Sequence, residues 1–440
     1  MSPSVATIGY VSLILALFLL ERDSGRHTSS ALWIPVIWLS ICASRWVSQW
    51  LGVVGSEDRG ALEGNPLDAL IFSGLLALGL MVLIARRQRV SVFLRTNWPL
   101  LAFLAYCGLS AIWSDYPLPS FKRWTKAVGD LVMILIVVTD PDPTAAIKRF
   151  FSRPAFLLIP LSILFIKYYP SVGRGYSSWT GEAFNLGVAT QKNGLGFICL
   201  VFGLAALWCF LEAMRNYGRI RMTRTTIASV VILVLALWLF QMAHSATSFA
   251  CFLIGSAFIT VTTVFGLYEK PVVVQFLVGG VLFAVVYGLI LNPTAGLAEI
   301  AGRDATLTGR TTIWNRALDM VVNPVLGTGY ESFWAGERLE KMSGDFMEPP
   351  SQAHNGYIDV YLNLGWVGVV LLVLVMIRGY RSIIGALSWG IETDRLKLAF
   401  LVVAAIYNLT EHAFREMHPV WIMFLLAVTV IPDDWRPEAS

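Results

Sequence analysis

Residues 271–291 read PVVVQFLVGGVLFAVVYGLIL and contain no charged side chain. A helix of this length crosses the ~30 Å hydrocarbon core of a bilayer, because each residue advances a helix by about 1.5 Å. In lipid the backbone groups must be satisfied within the segment, and an α-helix achieves this. The stretch therefore predicts a transmembrane helix and places the chain among membrane proteins.

Similar apolar runs recur along the 440 residues, of which 56% are hydrophobic and 14% charged. Soluble domains contain about 25% charged residues. We expect an all-α polytopic integral membrane protein with about 12 to 13 transmembrane helices. The predicted spans are 5–20, 31–52, 66–85, 98–113, 121–139, 154–169, 193–213, 225–242, 246–266, 271–291, 356–377, 397–409 and 419–431. The first lacks a basic leader segment and is expected to be retained.

One long polar loop interrupts these spans. Residues 292–355 separate an N-terminal membrane region, 1–291, from a C-terminal one, 356–440, within one membrane domain. In the loop, GRTTIWNRALDMVV (309–322) places apolar residues four apart, which predicts a short amphipathic helix. Such a helix also fits an interfacial anchor without chemistry.

Lysine and arginine are concentrated in alternate short loops, such as 86–95, 147–153 and 214–224. The positive-inside rule makes those loops cytoplasmic and turns the long loop outward, to the periplasmic face of a bacterial inner membrane. Four of the five histidines are predicted at this outer face: His244, His354, His412 and His418. This clustering predicts a site there.

His354 directly precedes a predicted span, where the positive helix end disfavours imidazolium. A neutral imidazole accepts protons, as a general base must, although an interfacial histidine is the simpler alternative. Arg310 stands at the start of a helix, against the dipole preference, which raises the question of which anion it meets. Arg45, Arg174 and Lys192 are further outer-face cations suited to phosphate.

Other classes of site have little support. Basic residues are scattered rather than clustered, so no nucleic-acid partner is expected. All five cysteines lie in apolar runs, which argues against disulfides and metal ligation. The run from Glu411 to His418 remains a weak alternative cation site beside a capping role. We expect no metal and no cofactor.

Several motifs in order resemble the O-antigen ligase and polymerase superfamily. They are G-R-x-x-x-W (309–314), P-x-x-G-x-G-Y (324–330), A-H-N (353–355) and L-x-x-G-x-x-G (362–368). WSDYP (113–117) and QKNGLG (191–196) look like the exopolysaccharide-polymerase branch.

The resemblance implies a metal-independent glycosyltransferase that moves a glycan from an undecaprenyl-diphosphate donor to an acceptor hydroxyl. The family's loop histidine and arginine map onto His354 and Arg310, the predicted catalytic residues. Predicted diphosphate ligands are Arg45, Arg174, Lys192 and Arg316, the last in an R-x10-G spacing, and predicted glycan contacts are Trp314, Tyr330, Trp334 and Asn355. The bilayer and the lipid-linked glycan are expected partners, and a chain-length regulator and a flippase are candidates.

Three functions stay open at this point. Polymerisation of exopolysaccharide or O-antigen repeat units is favoured by the two upstream motifs. A ligase that transfers glycan to lipid A-core uses the same chemistry. A transporter of the lipid-linked oligosaccharide belongs to another class, in which ionisable residues lie near mid-membrane. Here they are predicted at one face.

Overall fold

Long apolar segments set the helices of this protein, and prolines mark where several of them begin. The computed structural model describes residues 2–21, 28–53, 64–176, 183–217, 223–291, 307–345 and 350–431. Helices start at Pro66, Pro117 and Pro143, where the missing N–H of proline sacrifices no helical hydrogen bond.

The first half of the chain forms nine helices and one hairpin in its described residues. The helices are α1 (Pro3–Glu21), α2 (Trp33–Cys42), α3 (Val47–Trp50), α4 (Pro66–Ala85), α5 (Arg87–Thr96), α6 (Trp98–Leu109), α7 (Pro117–Val138), α8 (Pro143–Tyr168) and α9 (Pro170–Gly173). Strands β1 (Arg174–Tyr176) and β2 (Ala183–Asn185) pair antiparallel, with Arg174 opposite Asn185. Single 3-10 turns occupy Ser30–Leu32 and Ser110–Ile112.

The second half continues with helices of very different lengths. They are α10 (Lys192–Tyr217), α11 (Arg224–Ala243), α12 (Ala246–Val264), α13 (Pro271–Leu291), α14 (Leu307–Asp319), α15 (Glu337–Asp345), α16 (Gly356–Leu387), α17 (Glu392–Tyr407) and α18 (Pro419–Val428). A 3-10 turn at Leu267–Glu269 precedes α13.

Eight helices in the described part of the chain are long and apolar enough to cross a membrane: α1, α4, α8, α10, α11, α12, α13 and α16. Helices α5 and α6 meet at 88° and would count as a ninth if taken together. The all-α polytopic class is therefore confirmed. Every predicted span coincides with a helix. Four of these helices are short, namely α2, α6, α17 and α18, and the first turns of α7 contain charged residues. The number of membrane crossings therefore stays a prediction.

The short C-terminal helices lie at the centre of the molecule. Every residue of α18 is buried, and α17 is buried from Thr393 onward. These helices pack against each other, and α10 and α12 pack against α17. By contrast, α1 and α13 expose most of their apolar side chains, as lipid-facing helices do.

A glycine interrupts α16 and creates the site at which the long loop contacts this helix. Gly365 has φ 61° and ψ −165°, a conformation that side chains disfavour. The carbonyls freed by this break accept hydrogen bonds from the turn that contains Gly327 and Gly329: Thr328 N–H donates to Leu362 O (3.2 Å) and Gly329 N–H to Asn363 O (2.8 Å). The break thus satisfies its own backbone groups, as a membrane helix requires.

The predicted amphipathic helix is present as α14. Its Ala317 forms a small core with Phe333, Ala353 and Leu362, separate from the main core. The long loop therefore folds back onto α16 from residue 307 onward. Residues 292–306 and 346–349 of the predicted loop lie outside the described residues, and the division into three regions stays a prediction.

Candidate functional site

The segment before α16 is fixed on both sides of His354. Both Asp359 carboxylate oxygens accept the Ala353 N–H at 3.1 Å, and Asn355 caps the helix by accepting from the Tyr357 and Ile358 N–H groups. His354 itself has φ 51°, in the left-handed region that non-glycine residues rarely adopt. Such a conformation persists only where its surroundings impose it, and it is enriched at functional sites.

Arg310 and His354 approach the same carboxylate. Arg310 Nη2 lies 3.6 Å from Glu411 Oε1, and His354 Nδ1 lies 3.8 Å from Glu411 Oε2. Asn193 Nδ2 donates to both Glu411 oxygens at 3.1 and 3.2 Å. We call these four residues the Glu411 cluster. Two residues that the sequence predicted as catalytic are thereby brought together.

The cluster is accessible on its cationic side. The side chains of Arg310 and His354 are 28% and 32% exposed, whereas Glu411 is 11% exposed. Arg310 Nη1 also donates to the Thr410 carbonyl at 2.5 Å. The loop after α17 therefore holds the arginine in place while leaving part of it open to a ligand.

A second, more buried network lies behind the cluster. His412 Nδ1 is 3.4 Å from Asp359 Oδ2, and its Nε2 is 3.7 Å from Glu331 Oε1. Burial lowers the pKa of His412 well below its ordinary value, and the charge of Arg415 adds to this effect. Burial also raises the pKa of Glu331 to about 8, assisted by the neighbouring Glu416. The network therefore joins a neutral imidazole to a carboxyl group that is largely protonated near neutrality.

This network forms part of the wall of a cavity of about 360 Å³. Volumes in this range are typical of ligand sites. The wall contains three cations, Arg123, Lys126 and Arg415, together with Trp334 and both residues of the Glu331–Glu416 pair. We call it the cationic cavity. It adjoins the Glu411 cluster, because His412 follows Glu411 directly in the chain.

Arg45, a predicted diphosphate ligand, binds backbone carbonyls. Arg45 donates to the backbone carbonyls of Val172, Gly187 and Ala189 and so links α2 to the loops around α9 and β2. Its neighbours Ser44 and Trp46, rather than its own guanidinium, line the cationic cavity.

The other three predicted diphosphate ligands have different surroundings. Arg174 is exposed and donates to the Ile166 carbonyl at 3.2 Å. Arg316 is exposed on α14, about 240° round the helix from Arg310. Lys192 begins α10, and its side chain lies outside the described part of the chain. Diphosphate binding by these residues stays a prediction.

All four predicted glycan contacts have internal partners. Trp314 Nε1 donates to the Ala353 carbonyl at 2.7 Å, and the Tyr330 hydroxyl is buried at 3.3 Å from Glu416. Asn355 Nδ2 donates to the Leu409 carbonyl, in addition to its capping role. Trp334 lines the cavity, and its Nε1 donates to Asp359 at 2.6 Å.

Several site residues were missed by the sequence analysis. Asp359 could have been found, because an ionisable residue inside an apolar span is a functional candidate. Glu411 and His412 were noted only as a weak cation-binding run. Within the described residues, no group of three or more His, Cys, Asp or Glu side chains has metal-binding geometry. Glu411 instead contacts residues of the long loop, a relation between distant segments that no local pattern reveals.

Comparison with known proteins finds a family model that matches part of this chain. Residues 231–373 match the O-antigen ligase family. The matched region includes both Arg310 and His354, and it ends before Glu411. The resemblance expected from the loop motifs is therefore confirmed.

The similarity to individual proteins extends beyond the matched region and covers most of the chain. The Exopolysaccharide production protein ExoQ of Rhizobium meliloti is 24% identical over 345 residues, covering 72% of this chain and 71% of the relative. A candidate polysaccharide ligase of Rickettsia typhi is 21% identical over 347 residues, covering 76% and 80%. A similar protein of Rickettsia felis is 20% identical over 358 residues.

Proposed function

We propose that this membrane protein is a glycosyltransferase that acts on a diphosphate-linked lipid donor, most simply a polyprenyl-diphosphate glycan, at the periplasmic face of the inner membrane. The family match and the names of the relatives support transfer of the polysaccharide ligase or polymerase type. The observation that supports the proposal most directly is the convergence of Arg310 and His354 on Glu411.

In this mechanism His354 removes the proton of the acceptor hydroxyl through Nε2. Glu411 faces Nδ1 and stabilises the imidazolium that forms, as a carboxylate does in hydrolase triads. Gln352 Nε2 lies 3.3 Å from Nδ1, and a 180° rotation of the amide turns its oxygen to the ring, where it accepts the same N–H. The separation of 3.8 Å between His354 and Glu411 is of the kind that shortens when substrate binds.

The transfer replaces one bond at the anomeric carbon by another. The bond from that carbon to the phosphate oxygen breaks, and the acceptor oxygen forms the new glycosidic bond. The lipid diphosphate leaves with the bonding electron pair, and the hydroxyl proton stays on His354. Arg310, beside the base, stabilises the developing negative charge on the leaving phosphate. No metal is required in this scheme.

Polymerisation of repeat units is the favoured form of the reaction, and transfer to lipid A-core is the alternative. The relatives include both an exopolysaccharide production protein and candidate ligases. A deletion strain distinguishes the two: loss of a polymerase leaves single repeats at the cell surface, whereas loss of a ligase accumulates lipid-linked polymer.

The proposal is tested with purified protein and a defined diphosphate-linked oligosaccharide, with chain length followed on gels. We expect His354→Ala and Arg310→Ala each to lower the rate by about 10²–10⁴-fold while the protein remains in the membrane. His244→Ala and Arg338→Ala are matched controls, because His244 is the cap residue that follows α11 and Arg338 pairs with Asp115 at 2.6 Å.

Two results would contradict this function. Full activity of both correctly inserted variants would remove the assigned roles. A wild-type protein that moves the lipid-linked glycan between leaflets without forming a glycosidic bond would be a transporter.

A further inference from the structure

The wall of the cationic cavity contains more basic than acidic side chains: Arg123, Lys126 and Arg415 against Glu331 and Glu416. Arg415 is half-buried on its wall, and in the described part of the chain it forms neither a salt bridge nor a hydrogen bond. Arg123 donates to the Glu331 backbone carbonyl, and the Lys126 ammonium lies 4.9 Å from the centre of the Trp46 ring. Partly buried charges are normally paired, and three cations against two carboxyl groups leave an excess of positive charge on the wall that an anionic ligand would balance.

The two acidic side chains of the wall offset these cations only in part, because burial raises their pKa more than the charges of Arg123 and Arg415 lower it. Burial raises the pKa of both Glu331 and Glu416, and their proximity to each other disfavours ionisation of both. Near neutral pH the pair therefore presents hydroxyl donors and carbonyl acceptors in addition to negative charge. Such groups hydrogen-bond to the hydroxyls of a sugar as well as to an anion.

The remaining wall also fits a sugar. Trp334 contributes a flat apolar ring that is fixed by its hydrogen bond to Asp359. Phe197 lies against His418 on the same wall, with ring centroids 4.7 Å apart. A diphosphate alone has no use for aromatic faces, whereas a pyranose ring packs its C–H groups against them.

We propose that the cationic cavity is the subsite for an acidic sugar of the acceptor glycan, with Arg415 and Lys126 binding its carboxylate. This inference rests on the proposed glycosyl transfer, because it assigns the acceptor to a place beside the base. Ser351 on the wall is three residues before His354, and His412 follows Glu411, so a sugar in the cavity lies next to the Glu411 cluster. The subsite makes the enzyme selective for glycans that contain a uronic acid.

Binding is measured by ligand-observed NMR on the full-length protein in lipid nanodiscs, which needs no catalysis. The probes are cellobiouronic acid, in which a glucuronate is linked to glucose, and cellobiose, its counterpart with a neutral hydroxymethyl group. We expect the acid to bind about tenfold more tightly, the effect of one or two charge-assisted hydrogen bonds. Arg415→Gln should abolish the preference, Arg415→Lys should retain part of it, and Arg338→Gln should leave it unchanged.

Three outcomes would overturn the inference. They are equal binding of the two disaccharides, a preference that survives both Arg415→Gln and Lys126→Gln, and displacement of the acid by inorganic diphosphate in a manner that depends on Arg415. The last would assign the cavity to the lipid diphosphate. Failure of the proposed function looks different: the wild-type protein would bind the acid selectively and still form no glycosidic bond from a lipid-linked donor.

Discussion

Glu411 is the residue that links the loop motif to the rest of the protein. It contacts Arg310, His354 and Asn193, which belong to three separate segments. Loss of its charge leaves His354 without the group that stabilises its protonated form. Arg310 also loses its carboxylate partner, and of the two contacts described above only the hydrogen bond to the Thr410 carbonyl remains.

We therefore predict that Glu411→Gln lowers the transfer rate by about tenfold to a hundredfold, which is about 1.4–2.7 kcal/mol of transition-state stabilisation. The amide keeps the shape of the side chain and removes only its charge. Initial rates across pH are the measurement, since a general base that loses its carboxylate partner should also shift the acidic limb of the profile, where the base becomes protonated. Glu340→Gln, at a helical position outside the cluster, is the control. A Glu411→Gln enzyme with wild-type rate and pH profile would show that Glu411 is only structural.

The buried carboxyl of Glu331 predicts a pH dependence of stability. Its pKa is raised from 4.5 to about 8, mainly by burial, so between these values the folded protein binds more protons than the unfolded chain. Stability from this group is full at low pH and falls as pH rises through that window. Glu331→Gln removes this pH dependence. The melting temperature of the variant minus that of the wild type should therefore increase from pH 5 to pH 8. Thermal unfolding in detergent at several pH values is the measurement, and parallel curves for the two proteins would refute it.

At the scale of elements, the break in α16 determines where the long loop sits. A Cβ at Gly365 would lie 2.2 Å from the Val325 carbonyl oxygen, and one at Gly327 would lie 2.4 Å from the Asn363 backbone. Both glycines also have positive φ. The P-x-x-G-x-G-Y and L-x-x-G-x-x-G motifs are therefore two halves of one backbone contact.

Substitution at this contact should weaken the fold and the site together. We predict that Gly365→Ala lowers the free energy of unfolding by about 1–3 kcal/mol, because alanine is strained there and its methyl group collides with the turn. Gly279→Ala is the matched control, since Gly279 lies in α13 with no atom within 4 Å of the added Cβ. The control should be neutral or slightly stabilising, because alanine favours helices. Thermal unfolding tests both, and equal melting temperatures of the two variants would contradict the assigned contact.

At the scale of the whole molecule, two segments are predicted on opposite faces of the membrane: the loop that contains Arg310 and His354, and the basic segment 86–95, most of which forms α5. Cysteine labelling tests this in a background in which the five native cysteines are replaced. We predict that Lys341→Cys, exposed on α15, reacts with an impermeant maleimide once the outer membrane is permeabilised. Gln88→Cys, exposed on α5, should react only after lysis. The reverse pattern would place the site in the cytoplasm.

The sequence by itself determined the helical membrane class, the positions of the helices and the loop that contains Arg310 and His354. These follow from hydropathy and from glycine and proline, which act through neighbouring residues or through the bilayer. Tertiary structure alone decided that α17 and α18 lie at the centre, that Gly365 receives the loop turn, and that Glu411 meets Arg310 and His354. The contacts of Glu411 with His354 and Arg310 join residues 57 and 101 positions apart in the chain. The tertiary structure also decided that Arg415 faces a cavity, whereas Arg45 binds backbone carbonyls. Side-chain partners across such separations depend on how the helices pack, and no local pattern of residues encodes that packing directly.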